Sequence, residues 1–222
     1  MKKSTMVWLL ALAVILIAAG IIINSVRGRD YRPDSSDYRT LCETEAGGIT
    51  EIRAEMLSSS LRVYESSNDE WLEISASGRA ASSVSVTRDG NVLTIAEAPV
   101  TGSGTVFSKD GGNDYAVIWL PEDFSGTMDL SSASGELNMS DVDIPEASVV
   151  LSAVSGDTSV YDSKFDSLTI ESVSGDVWFG SIKVNSMTVS TVSGDIRGSV
   201  KGLSGEPRIE TYTVSGDTSI NE

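Results

Sequence analysis

Histidine is absent from these 222 residues, and cysteine occurs once, as Cys42. Without histidine there is no imidazole general base, no Ser/His or Cys/His nucleophile pair, and no imidazole ligand for a transition metal. A lone cysteine builds neither an internal disulfide nor a cysteine-based zinc site. Basic residues are scarce once the N-terminus is passed. Lys2, Lys3, Arg27 and Arg29 take four of the 16 Lys and Arg, leaving 12 against 32 acids in residues 30–222, a formal charge of −20. Such a surface repels phosphate backbones, so no nucleic-acid partner is expected. Net acidity of this kind reads first as a device for solubility. Carboxylates and lysines remain as possible catalysts, but the composition points away from an enzyme and toward a protein with no cofactor.

One long apolar run is present. "MKKSTM" leads into "VWLLALAVILIAAGIII", residues 7–23, which carries no charge. A cleaved signal peptide has a shorter apolar core followed by a small-residue cleavage site. Here Ala18, Ala19 and Gly20 lie inside the run, and no cysteine follows to accept a lipid. The expectation is a signal anchor or transmembrane helix over 1–26, followed by a juxtamembrane linker over 27–48, "RGRDYRPDSSDYRTLCETEAGG". The flanking charges are nearly balanced. The basic start and the Ser/Thr-rich remainder favour a single-pass cell-membrane protein with its C-terminal domain outside the cytoplasm.

The second conspicuous presence is a repeat. Val-Ser-Gly-Asp occurs at 154–157, 173–176, 192–195 and 214–217, with Ala-Ser-Gly-Glu at 133–136. Aligned on the residue before Ser-Gly, taken as position zero, apolar residues recur at fixed offsets. Five before stand Met128, Val149, Leu168, Met187 and Ile209; three before stand Leu130, Leu151, Ile170, Val189 and Thr211. Four after stand Leu137, Thr158, Val177, Ile196 and Thr218; six after stand Met139, Val160, Phe179, Gly198 and Ile220. Eleven after, in the four complete repeats, stand Ile144, Phe165, Val184 and Leu203.

Spacing by two is the strand period, so each repeat reads strand, corner, strand, corner. Position zero itself, Val192 for example, is expected to face inward with these. The window from five before to eleven after never changes length, and all variation falls in the connection that follows it. That is how a β-solenoid tolerates variation: equivalent residues stack in columns while one loop swells outward. A Greek-key sandwich gives no reason for the same columns to recur. The fold expected is all-β, a single-domain, parallel β-helix-like solenoid of 19–22-residue coils over 49–222. Residues 122–222 would hold the five repeats and 49–121 atypical opening coils and a cap. In the latter, "ITEIRAEMLSSSLRVYESS" aligns as a degenerate rung with Ser58-Ser59-Ser60 at the corner.

"YAVIWLPEDFSGTMDLSSASGELNMSD", followed by "SLTIESVSGDVWF", resembles the bacterial "putative adhesin" domain-of-unknown-function family of β-strand repeats. The resemblance covers roughly residues 46–222. With a membrane helix ahead of it, the arrangement is similar to LiaG-like membrane-anchored envelope proteins linked to envelope stress in Gram-positive bacteria. The resemblance implies no enzymatic activity and supplies no catalytic residues.

The corner glycines Gly135, Gly156, Gly175, Gly194 and Gly216 would permit positive φ or a close backbone approach. Stacking would line up Glu136, Asp157, Asp176, Asp195 and Asp217 about 4.8 Å apart. Either these acids accept backbone and serine hydrogen bonds, or a cation such as calcium sits among them; the structural role is the expectation, with no metal assigned. Trp178 falls on an outward position beside Arg197 of the next rung, where it stacks on the guanidinium or marks a partner surface. Two functions follow from the residues: a non-enzymatic, membrane-tethered module that binds or scaffolds an envelope protein or polymer, or a carbohydrate-active β-helix enzyme working with carboxylates; the family resemblance alone implies a third, a sensor or regulator of an envelope-stress pathway.

Overall fold

The computed structural model describes residues 38–66, 71–99 and 114–221; the expected anchor, 1–26, and most of the glycine-rich stretch 101–114 lie outside them. Among the described residues no helix is long and apolar enough to cross a membrane. In chain order the elements begin β1 (Arg39–Glu45), β2 (Glu51–Met56), β3 (Ser60–Glu65) and β4 (Trp71–Ala76), then one helical turn, α1 (Ala80–Ser83). A second group comprises β5 (Val84–Asp89), β6 (Val92–Glu97), β7 (Tyr115–Leu120), β8 (Thr127–Ser132) and β9 (Leu137–Ser140). The repeats supply β10 (Asp143–Ser155), β11 (Thr158–Tyr161), β12 (Lys164–Ser174), β13 (Val177–Ser193), β14 (Ile196–Gly202), β15 (Arg208–Ser215) and β16 (Thr218–Asn221). The result is all-β and β-solenoid-like.

Two parallel ladders flank the corner. Before it, β6, β2, β8, β10, β12, β13 and β15 lie side by side; after it, β7, β3, β9, β11, β13, β14 and β16 do the same. The pairing sets equivalent repeat positions against one another: Met128 meets Val149, then Leu168, Met187 and Ile209. Leu137, Thr158, Val177, Ile196 and Thr218 form a second column. Residues in these columns are almost wholly buried until the last rung, where Ile209 is half-buried and Thr218 exposed. Each Leu, Ile, Val or Phe so buried contributes about 1.5–3 kcal/mol. Gly198 fits the same logic, because a side chain there would strike the Phe179 ring one rung earlier, at 2.4 Å.

The structure revises three expectations. Position zero does not face the core: Val154, Val173 and Val192 are half-buried and Val214 is 67% exposed. Strict alternation from five and three before the corner puts the inward residue one earlier, at Ser132, Ala153, Ser172 and Thr191, all buried. Second, the opening coils do not stack in chain order from the degenerate rung outward. β6 and β7, later in the chain, pair in parallel with β2 and β3 on the side away from β8 and β9, with Ile52 against Leu93 and Leu61 against Ala116. Third, residues 39–45, inside the expected linker, form β1, antiparallel to β4, which is itself antiparallel to β7. β5 closes the other edge as an antiparallel hairpin with β6.

Candidate functional site

The Ser-Gly-Asp corner comes first, because sequence singled it out. A methyl group on Gly135, Gly156, Gly175, Gly194 or Gly216 would stand only 2.1, 2.4, 2.2, 2.2 or 2.1 Å from a carbonyl oxygen of the preceding rung. Of the five only Gly216 has a positive φ, 155°. Close backbone approach, rather than left-handed geometry, is therefore what demands glycine at these corners.

The acidic column is a hydrogen-bond ladder. The backbone N–H of Asp176 donates to the Asp157 carboxylate at 2.9 Å, that of Asp195 to Asp176 at 2.8 Å, and that of Asp217 to Asp195 at 2.8 Å. In the degenerate rung Ser60 stands in for aspartate and accepts from the Glu136 N–H at 3.3 Å. Each shared oxygen thus satisfies an amide that the bend frees from the regular ladder. Among the described residues no group of three Asp, Glu, Cys or His converges as metal ligands.

Glu97 was not singled out by sequence reasoning and holds the first corner. Its side chain is buried, and one carboxylate oxygen accepts the backbone N–H groups of Leu57, Ser58 and Ser59 at 2.7, 2.8 and 3.0 Å. The other accepts the hydroxyls of Ser58 and Ser59 at 3.1 and 2.7 Å. Burial pushes this carboxyl upward, but the Ser58 and Ser59 amides, the Ser59 hydroxyl and the Leu57 amide outweigh it and hold it below the ordinary glutamate value.

The outward face after the corner is of another kind. Arg62, Asn138, Ser159, Trp178 and Arg197 form one outward column; Tyr64, Ser140, Tyr161 and Gly180 form the next. Trp119 on β7 lies beside Tyr64, ring centroids 5.3 Å apart, and its indole N–H donates to Ser75 at 3.2 Å. Tyr38 and Tyr115 meet edge to face at 5.4 Å, and Arg62 covers the Tyr115 ring at 4.1 Å. Trp178 is 40% exposed with Arg197 at 5.7 Å from its ring, and Arg197 also pairs with Asp195 at 2.5 Å. Tyr161, equally exposed, lies across the glycine gap at Gly180. Trp71 stands on the outward parity of β4, opposite the buried Leu72 and Ile74.

Every tryptophan among the described residues, and every described tyrosine except Tyr212, is therefore on this one face. The described phenylalanines Phe124, Phe165 and Phe179 are all buried in the core. The rings of all three residue types are similarly apolar; what separates them is the polar tip of Trp and Tyr, which suits a wet surface. The alternation pattern alone marks Tyr64, Trp119, Tyr161 and Trp178 as outward. Only the register across rungs shows that they are neighbours.

A carboxylate enzyme would need two acids of contrasting protonation at a set separation. Two outward carboxyls are raised, Asp129 and Glu171, both mainly by burial, with the Asp129 charge adding to the rise at Glu171. They lie two rungs apart and at different offsets, roughly 12 Å between backbones by strand geometry.

The sequence profile of the Toastrack DUF4097 family matches residues 49–222. Among curated protein sequences none matches this chain. Among solved structures the fold is similar to that of a "putative cell adhesion protein" from Clostridium sporogenes, with TM-score 0.54 and 11% identity over 83% of this chain and 98% of that one. A "putative adhesin" from Bacteroides fragilis matches with TM-score 0.47 and 15% identity over 84% and 97% of the two chains.

Proposed function

This chain belongs to the Toastrack DUF4097 family, and from that premise we propose that it is a non-enzymatic binding module whose ligand is a glycan polymer of the cell envelope. The solenoid is held at the cell membrane by the apolar segment 7–23 and lies outside the cytoplasm. The observation that carries this reading is the segregation of the aromatic residues. Flat aromatic rings with polar tips match the apolar faces and hydroxyl rims of sugars, and Asn138, Ser159, Arg62 and Arg197 supply hydrogen-bonding groups between them. From Tyr64 to Trp178 the platform crosses three rung spacings, about 14 Å, which accommodates several consecutive sugar rings rather than one. The wide spacing of Asp129 and Glu171, and the commitment of Asp157, Asp176 and Asp195 to backbone amides, favour binding over hydrolysis.

The test uses the full chain in neutral detergent, incubated with purified envelope polysaccharides. Specific retention is expected, weakened about tenfold by Trp178→Ala or Tyr161→Ala, a loss typical of one stacking aromatic. Tyr212→Ala, on the other outer face, should change nothing. Equal retention of all variants would refute the aromatic platform, and carboxylate-dependent release of sugar fragments would replace binding with catalysis.

A further inference from the structure

All three lysines among the described residues occupy one column. Asp143, Lys164, Lys183 and Lys201 are register partners on β10, β12, β13 and β14. Lys164 is neutralised by a salt bridge to Asp143. Lys183 and Lys201 stand exposed one rung apart, in no salt bridge among the described residues. Adjacent ammonium groups repel, so a chain this acidic has little structural reason to stack them.

The residues around the pair change in the same direction. The turn position held by Asp141 and Asp162 in earlier rungs becomes Ser181, and Ser199 follows it, with its hydroxyl accepting the Ser181 N–H at 3.3 Å. On the other flank Asp166 is followed by Asn185 and then Ser204, joined by side-chain hydrogen bonds at 3.0 and 2.8 Å. Along both flanks hydroxyl and amide side chains replace the carboxylate; the Asp166, Asn185 and Ser204 ladder keeps its hydrogen bonds, while the Ser181 to Ser199 step carries a register shift between Phe179 and Ile182. A cavity of about 250 Å³ opens at this place, lined by Ser181, Ile182, Lys183, Ser199, Val200 and Lys201. Ser181 holds φ at 55°, the left-handed turn that Asp141 and Asp162 make at 55° and 48°, so the backbone turn is kept while its side chain changes from carboxylate to hydroxyl.

We propose that Lys183, Lys201, Ser181 and Ser199 form a binding site for a phosphate monoester. Two ammonium charges match a dianion of about −1.5 to −2. Separate single-point donors, two ammonium and two hydroxyl, suit a tetrahedral oxyanion, whereas a planar carboxylate is better met by an arginine fork. The site is independent of the aromatic platform and lies on another face of the coil.

The test is a titration of the isotope-labelled full chain in neutral detergent with sodium phosphate and with glycerol 1-phosphate, at constant ionic strength. Saturable shifts are expected at the amides of Ser181, Lys183, Ser199 and Lys201, with acetate binding more weakly. The Lys183→Gln/Lys201→Gln double variant should bind about twenty-five-fold more weakly, roughly fivefold per ammonium removed, at an unchanged thermal midpoint. Lys164→Gln and Trp178→Ala should bind as the parent does. The proposal is overturned if phosphate moves these amides no more than chloride does, if acetate binds as tightly, or if the double variant is unaffected.

Discussion

Removing the Glu97 carboxylate should destabilise the whole domain, because three amides of the first corner converge on a single oxygen atom. Glu97→Ala leaves the N–H groups of Leu57, Ser58 and Ser59 without their acceptor and strands two serine hydroxyls. An unsatisfied buried donor costs about 1–3 kcal/mol. Ser59 is fully buried, whereas the bonds to Leu57 and Ser58 are only partly so and water can reach them. The sum is about 3–5 kcal/mol, with the lost packing included at its low end. For a domain of this size that lowers the thermal midpoint by roughly 10 °C. Glu97→Gln keeps the shape and one acceptor oxygen, and rotated serine hydroxyls can receive its amide. It loses charge assistance only, about 1–2 kcal/mol. The carboxyl is held below its ordinary value in the fold, so its stabilisation is present above the unfolded value and disappears as pH falls through the folded one. The gap between parent and Glu97→Gln should therefore close on acidification below about pH 4. Asp129 and Glu171 act in the opposite sense and are common to both proteins, so the difference isolates Glu97. Urea and thermal unfolding followed by circular dichroism give all these quantities. A Glu97→Ala midpoint within 2 °C of the parent, or Glu97→Gln no milder than Glu97→Ala, would refute the reasoning.

Two further substitutions probe the stack. Gly175→Ala places a methyl group 2.2 Å from the Gly156 carbonyl oxygen and should cost about 3 kcal/mol or more, whereas Gly205→Ala, with nothing within 4 Å, should be neutral within about 0.5 kcal/mol in the same unfolding assay. Thr158 lies in the apolar column between Leu137 and Val177, with a buried hydroxyl that has no hydrogen-bond partner among the described residues; Thr158→Val should stabilise by about 1 kcal/mol, and a lowered midpoint would contradict that assignment.

The rungs from Thr127 onward were legible in sequence because in-register stacking forces the same inward positions in every coil. An apolar residue every second position, repeated at 19–22, has few other physical explanations. The same logic misplaced position zero. A column of valines beside a corner looks inward by composition, yet parity sets its face, and the inward place goes to small hydroxyl residues such as Ser132, whose Oγ accepts the Gly135 N–H at 2.9 Å. The alternation of "NVLTIAEA" and the apolar run "YAVIWLP" mark β6 and β7 as strands but not their place in the stack, which they join across sequence separations of 41 and 55 residues, Ile52 to Leu93 and Leu61 to Ala116. Glu97 was hidden for the same reason: its partners are 38–40 residues away.

By itself, then, the sequence determined the all-β repeat, its corner and most of the residues of its columns, because a short period and a steric demand for glycine are local properties. Which outward residues lie together was decided only in three dimensions. Tyr64 and Trp119 are 55 positions apart and meet across one rung; Lys183 and Lys201 become neighbours only because β13 and β14 pair in that register. Outward positions carry no packing constraint of their own. Their adjacency is fixed by hydrogen bonds between backbones, which no single stretch of sequence encodes.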